Sequence, residues 1–98
     1  MEVRLLYFEG CPHWTVADER LRAAMAQIGD TSLVHHVLIE TPEDAAANGF
    51  VGSPTIQVDG RDPFARGDEQ VGLTCRLYST PEGLAGSPTV AQLIEVLS

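Results

Sequence analysis

Apolar and polar positions follow two different periods along this chain, and each change of period marks an expected element. Val3 to Phe8 is a short apolar run with Leu5, Leu6 and Tyr7 at its centre, closed by Glu9-Gly10. It is too short for a helix and predicts a buried strand. From Pro12 onward, Trp14, Ala17, Leu21, Ala24, Met25 and Ile28 recur at spacings of three and four, with Arg20, Arg22 and Gln27 largely off that stripe. The pattern predicts an amphipathic helix of about four turns. Pro12 suits its first turn, Thr15 and Asp18 suit a secondary cap, and Gly29 suits the stop. Leu33 to Ile39 is a second apolar run without clean alternation, expected as a strand buried on both faces and parallel to the first, so that the intervening helix completes a right-handed βαβ unit.

The second half changes character. Thr41-Pro42-Glu43-Asp44 supplies an N-cap, a proline for the first helical position and two acids for the first turn, and Gly49 ends the short helix that follows. Thr55 to Asp59 alternates, with Ile56 and Val58 against Thr55 and Gln57, and Asp59-Gly60 is a hairpin signal. The return strand is expected around Leu73 to Tyr78, after a polar loop over Arg61 to Gly72 that contains the adjacent acids Asp68 and Glu69. Ser87-Pro88 suits the cap of a closing helix whose Val90, Leu93, Ile94 and Leu97 share one face. The order is βαβαββα: an α/β protein with a four-stranded mixed sheet flanked by helices, occupying residues 1–98 as one domain. Gly-Ser-Pro-Thr occurs twice, at Gly52 to Thr55 and at Gly86 to Thr89, but one copy starts a strand and the other a helix, so no duplication is inferred.

Charge narrows the function. The net charge is −8 and all six basic residues are scattered arginines, so there is no stripe to neutralise phosphates, and neither nucleic acid nor an anionic membrane is an expected partner. The lack of lysine removes Schiff-base chemistry and a phosphate-loop lysine. No apolar run reaches the ~18–20 residues of a membrane span, and the N-terminus does not read as a signal peptide. A cytoplasmic protein is expected, and in that compartment Cys11 and Cys75 start as thiols.

Chemistry then falls to the cysteines. Cys11 lies where the first strand enters the first helix, a position at which backbone N–H groups and the helix dipole favour thiolate. It reads as a nucleophile. Cys75 has two readings. It could resolve an oxidised Cys11 if the fold brings the two together, or it could be a buried residue sharing a strand face with Leu73 and Leu77. His35 and His36, adjacent on a strand, point to opposite faces and do not chelate one metal. No closed metal site and no cofactor are expected, although two thiolates could hold a linear-coordinating ion such as Cu(I) or Hg(II).

The chain resembles the thioredoxin-like superfamily over its whole length. Cys11-Pro12-His13-Trp14 sits where the family has its Cys-x-x-Cys or Cys-x-x-Ser motif, Val51-Gly52-Ser53-Pro54-Thr55 matches its cis-proline loop, and the order of elements agrees. The resemblance implies that the Ser53-Pro54 bond is cis and packs opposite Cys11, and that the Ser53 backbone is free to pair with an extended substrate chain; Pro12 and Trp14 are candidates for the same substrate site, with Trp14 either packing over the thiol or opening the core stripe of the helix. Cys11-Pro12-His13 also resembles the start of the Cys-Pro-His-Cys site of disulfide-forming members, which gives His13 the role of supporting the thiolate. Two departures matter. Tryptophan stands at position 14 in place of the second cysteine, and Leu5 stands in place of the family's buried acid. The expectation is therefore a monothiol oxidoreductase in which Cys11 attacks a protein disulfide, a low-molecular-weight disulfide or an oxidised thiol, as a monomer or weak homodimer. The alternative is a non-catalytic module that binds a protein partner or a thiophilic metal.

Overall fold

A computed structural model describes residues 1–67 and 69–98; the expectation of a solvated acidic loop at Asp68 lies outside the described residues. The elements are β1 (Val3–Tyr7), α1 (His13–Gln27), β2 (Val34–Leu38), α2 (Pro42–Asn48), β3 (Thr55–Val58), β4 (Tyr78–Thr80), β5 (Gly83–Ala85) and α3 (Val90–Leu97). β1 is the centre of a three-stranded mixed sheet, parallel to β2 and antiparallel to β3. β4 and β5 form a separate antiparallel pair. Among the described residues the protein is thus a mixed α/β structure with three helices, and the expected four-stranded sheet is corrected to three strands plus two.

Alternation along β1 divides the core. Val3 and Leu5 point to one side, where Ala17, Leu21, Ala24 and Met25 of α1 meet Ile56 of β3 and Leu93 and Leu97 of α3. Leu6 points to the other, with Ile39, Ala45 and Phe50. The apolar stripe of α1 is therefore its buried face. Its caps differ from expectation: Pro12 is the N-cap without a side-chain bond, Thr15 Oγ1 donates to the Pro12 carbonyl, and Asp18 is engaged by His36 and Arg22. At α2, Thr41 Oγ1 accepts from Asp44 N at 3.0 Å and Gly49 closes the helix at φ +65°. In α3 the cap is Thr89 rather than Ser87. Thr89 Oγ1 accepts from Gln92 N and Gln92 Oε1 accepts from Thr89 N, the reciprocal pairing that a Thr-x-x-Gln spacing favours.

β2 is not buried on both faces: His35, His36 and Leu38 are exposed. It is an outer strand, where the cover that reaches β1 from both sides thins out. After β3, Asp59 and Gly60 take the expected two-residue turn with both φ positive, and Val58 and Arg61 exchange backbone hydrogen bonds of 2.7 and 3.1 Å. That bridge goes no further, two residues before Pro63, which has no N–H to continue a ladder, and the return strand expected around Leu73 to Tyr78 is replaced by the short β4, which starts at Tyr78 and pairs with β5 rather than β3. Among the described residues, no helix is long and apolar enough to cross a membrane.

Candidate functional site

Cys11 is delivered by the turn that follows β1. Its N–H donates to the Phe8 carbonyl at 3.4 Å, and the 15-residue helix α1 starts two residues later at His13. The thiol therefore stands at a helix N-terminus, where backbone N–H groups without intrahelical partners favour negative charge. It is also fully buried.

The second cysteine reaches it from 64 positions along the chain. Cys11 and Cys75 form a disulfide with their Cα atoms 5.8 Å apart, inside the usual span for such a bond. The expectation of Cys75 buried on a strand does not hold. Residues 74 to 77 form no regular strand, Cys75 and Leu77 are exposed, and the inward positions are Arg76 and Tyr78. The reason is polar. Arg76 forms an ion pair with Asp62 and lies 4.5 Å from the Tyr78 ring centroid, while the Tyr78 hydroxyl donates to the Pro54 carbonyl. A guanidinium so matched can face inward, and Leu77 is turned out.

The Ser53-Pro54 bond is cis, as expected. The Ser53 backbone is not free, however. Ser53 N donates to the Thr74 carbonyl at 2.7 Å and Arg76 N donates to the Ser53 carbonyl at 2.9 Å, which places Cys75 opposite Ser53 in an isolated parallel bridge. The protein's own Thr74-Cys75-Arg76 segment fills the position expected for an extended substrate. The Ser53 carbonyl oxygen also lies 3.6 Å from Cys11 Sγ, and Ser53 Oγ accepts from Phe8 N at 3.4 Å. Gly52, at φ +121°, lets this crossing happen, since a Cβ there would meet Arg76 Cβ at 2.9 Å.

No family model, curated protein or solved structure matches this chain.

The remaining expected site residues are spread around Cys11. Pro12 and His13 are exposed; the His13 ring sits over Gly86, where a Cβ would collide with it. Trp14 stacks on Tyr7 with ring centroids 4.2 Å apart and meets His36 edge-on, so it packs toward β2. His36 bonds Asp18 at 2.8 Å. Among the described residues no cluster of three or more His, Cys, Asp or Glu side chains could hold a metal ion.

A cavity of about 490 Å³ is lined by Val51, Phe64, Arg66, Glu69, Cys75 and Tyr78 among others. Pro12, Trp14, Ser53 and Pro54 are not part of that lining. Backbone N–H donation from Arg66 to its carboxylate holds Glu69 below the ordinary range for a glutamate, and burial pushes the Tyr78 hydroxyl well above the ordinary tyrosine value. The sequence reading missed Asp62, Arg66, Thr74, Arg76 and Tyr78. One signal was present: an arginine inside the otherwise mostly apolar Leu73 to Tyr78 run, which needs a partner if it faces inward.

Proposed function

We propose that this protein is a thioredoxin-like thiol-disulfide oxidoreductase whose redox couple is Cys11 with Cys75. The observation that carries this reading is the placement of Cys75 beside Cys11 and opposite Ser53, next to a cis-proline. Cys11 at the start of α1 is the thiolate best supported by its surroundings, and so serves as nucleophile in the reduced form and leaving group in the oxidised form. In the direction that reduces substrate, the Cys11 thiolate attacks a substrate disulfide and releases one substrate thiolate. Cys75 then attacks the mixed disulfide at Cys11, releasing the second substrate thiolate and leaving the internal disulfide. Two electrons pass from the protein dithiol to the substrate disulfide, and the two thiol protons leave with the product thiols. Pro12, His13 and Trp14 flank the nucleophile in this reading, and Ser53 and Pro54 supply the surface against which the reacting segment lies.

The test is the dithiothreitol-driven reduction of a disulfide-bonded peptide, with and without the protein, alongside Cys11→Ser and Cys75→Ser. Acceleration by the wild type that is lost in Cys11→Ser supports the reading. Equal rates for all three would sink it.

A second reading uses the same proximity. Once reduced, two thiolates this close suit a linear-coordinating Cu(I) or Hg(II) ion, which needs no ligand beyond the two sulfurs. Stoichiometric uptake that requires both cysteines, together with no peptide turnover, favours it.

A further inference from the structure

Resting on the redox reading above, we propose that external reductant reaches this protein at Cys75, through the cavity that Phe64, Arg66 and Cys75 line, and that the reductant is a small thiol bearing a carboxylate. The two sulfur-bearing residues are unequal. Cys11 is fully buried, and the face of Ser53 along which a chain would approach it is occupied by Thr74 and Arg76. Cys75 is exposed and lines a cavity of about 490 Å³, a size that suits a small molecule rather than a folded partner.

The cavity's charges select the class of thiol. Arg76 is committed to Asp62. The Glu69 carboxylate accepts from the backbone N–H groups of Arg66 and Gly67. The Arg66 guanidinium, by contrast, donates among the described residues to the neutral Ser79 hydroxyl. In a chain with a net charge of −8, a guanidinium lining the same cavity as Cys75 is a local attraction for an anion, and it pairs with a carboxylate in a planar, two-pronged geometry.

The reaction balances without another participant. The small thiol loses its proton to solvent and its thiolate attacks Cys75 Sγ. A bond forms between the two sulfurs, the Cys11–Cys75 bond breaks, and Cys11 leaves with the electron pair as a thiolate at the head of α1. A second molecule of the small thiol attacks the adduct at the small thiol's own sulfur, giving its disulfide and the Cys75 thiolate, and both protein thiolates take up protons. Two small thiols are oxidised and one protein disulfide is reduced. The polarity follows from accessibility: the sulfur that receives the attack is the exposed one, and the sulfur that leaves is the one held at the helix N-terminus.

The experiment exposes the oxidised protein to reduced glutathione, quenches with acid at the earliest times, alkylates and maps the peptides. The glutathione adduct is expected on Cys75 with Cys11 alkylated. An adduct on Cys11 at the earliest times overturns this route while leaving the redox reading intact. Failure of any thiol to reduce the disulfide overturns both. In parallel, Arg66→Gln is compared with the wild type for reduction by glutathione and by uncharged 2-mercaptoethanol. The expected result is a rate loss of about threefold to fivefold for glutathione and none for 2-mercaptoethanol, the scale of a partly exposed charge pair. Equal effects on the two thiols would overturn the carboxylate assignment.

Discussion

Ser53 and Cys75 face one another across an isolated parallel bridge, with the Ser53 N–H and carbonyl both committed to the residues on either side of Cys75. The covalent link between the cysteines and this backbone pairing therefore hold the same three-residue segment. Reduction removes one of the two restraints. The amides of Ser53 and Arg76 should be protected from hydrogen exchange in the oxidised protein and lose protection on reduction, while the β1 amides stay protected. Exchange measured on peptides spanning residues 51–56 and 73–78 checks this, and unchanged protection would show that the backbone bridge stands alone.

The ring closed by the disulfide spans a sequence separation of 64. In the chain-entropy account a loop of that length stabilises the folded state by about 4 kcal/mol at 25 °C. The oxidised protein should unfold at a higher urea concentration than the reduced one. The difference in unfolding free energy should approach that figure in the wild type and vanish between Cys75→Ser samples with and without reductant.

Asp62 and Arg76 form an ion pair whose side chains are 12% and 6% exposed. Asp62→Ala strands the guanidinium in the interior, and breaking such a pair costs roughly 3–5 kcal/mol. Arg76→Met together with Asp62→Ala should recover much of that loss, because no uncompensated charge remains. Urea unfolding of the single and double variants tests the point, and a single variant with a loss below 1 kcal/mol would contradict it.

Gly52 is the close-approach position. Alanine there takes on a left-handed conformation, at a cost of roughly 1–3 kcal/mol, and its Cβ presses on Arg76. Gly52→Ala should push residues 74–76 away from Ser53 and lower the fraction of protein in the disulfide form at a fixed dithiothreitol redox ratio. Alkylation and mass measurement across that ratio provide the readout. An unchanged fraction would mean that the crossing tolerates the methyl group.

Burial raises the pKa of Tyr78, with the nearby Asp62 carboxylate adding to it and Arg76 opposing it, and the hydroxyl donates to the Pro54 carbonyl. A raised folded-state value means that the contribution to stability is complete below the ordinary tyrosine value near 10 and is lost as pH climbs toward the folded value. Alkaline titration should show the Tyr78 phenolate absorbance rising only together with unfolding. Tyr78→Phe should remove that component and cost about 1 kcal/mol at neutral pH, the scale of one hydrogen bond.

The fold was legible where one local rule acted alone. The three-and-four spacing of Ala17, Leu21 and Ala24 gave α1, the Thr41 cap and Gly49 stop gave α2, and Asp59-Gly60 gave the turn after β3. It was illegible where distant groups decide. Period-two alternation put Leu73, Cys75 and Leu77 on one strand face, and Leu73 does pack on the core, but Asp62, 14 positions from Arg76, draws the guanidinium inward and leaves Cys75 and Leu77 exposed, and local pattern does not encode such a partner. At the site, Cys11 and the cis bond before Pro54 were readable from position and motif. That Cys75 occupies the place beside Ser53 was not, because a chain's own loop filling its groove depends on the path between Asp62 and Thr74, whose described residues form no regular element.

The disulfide draws α1, β2, α2 and β3 into one covalent ring while β1, the strand between β2 and β3, stands outside it. Pulled by its two ends, the oxidised chain can lengthen only through the segments before Cys11 and after Cys75, about a third of its contour. The force reaches β1 directly and is shunted across the sulfur bridge past everything inside the ring. Oxidation thus makes the molecule a short tether around a mechanically shielded loop, and a single reducing event lets that hidden length out.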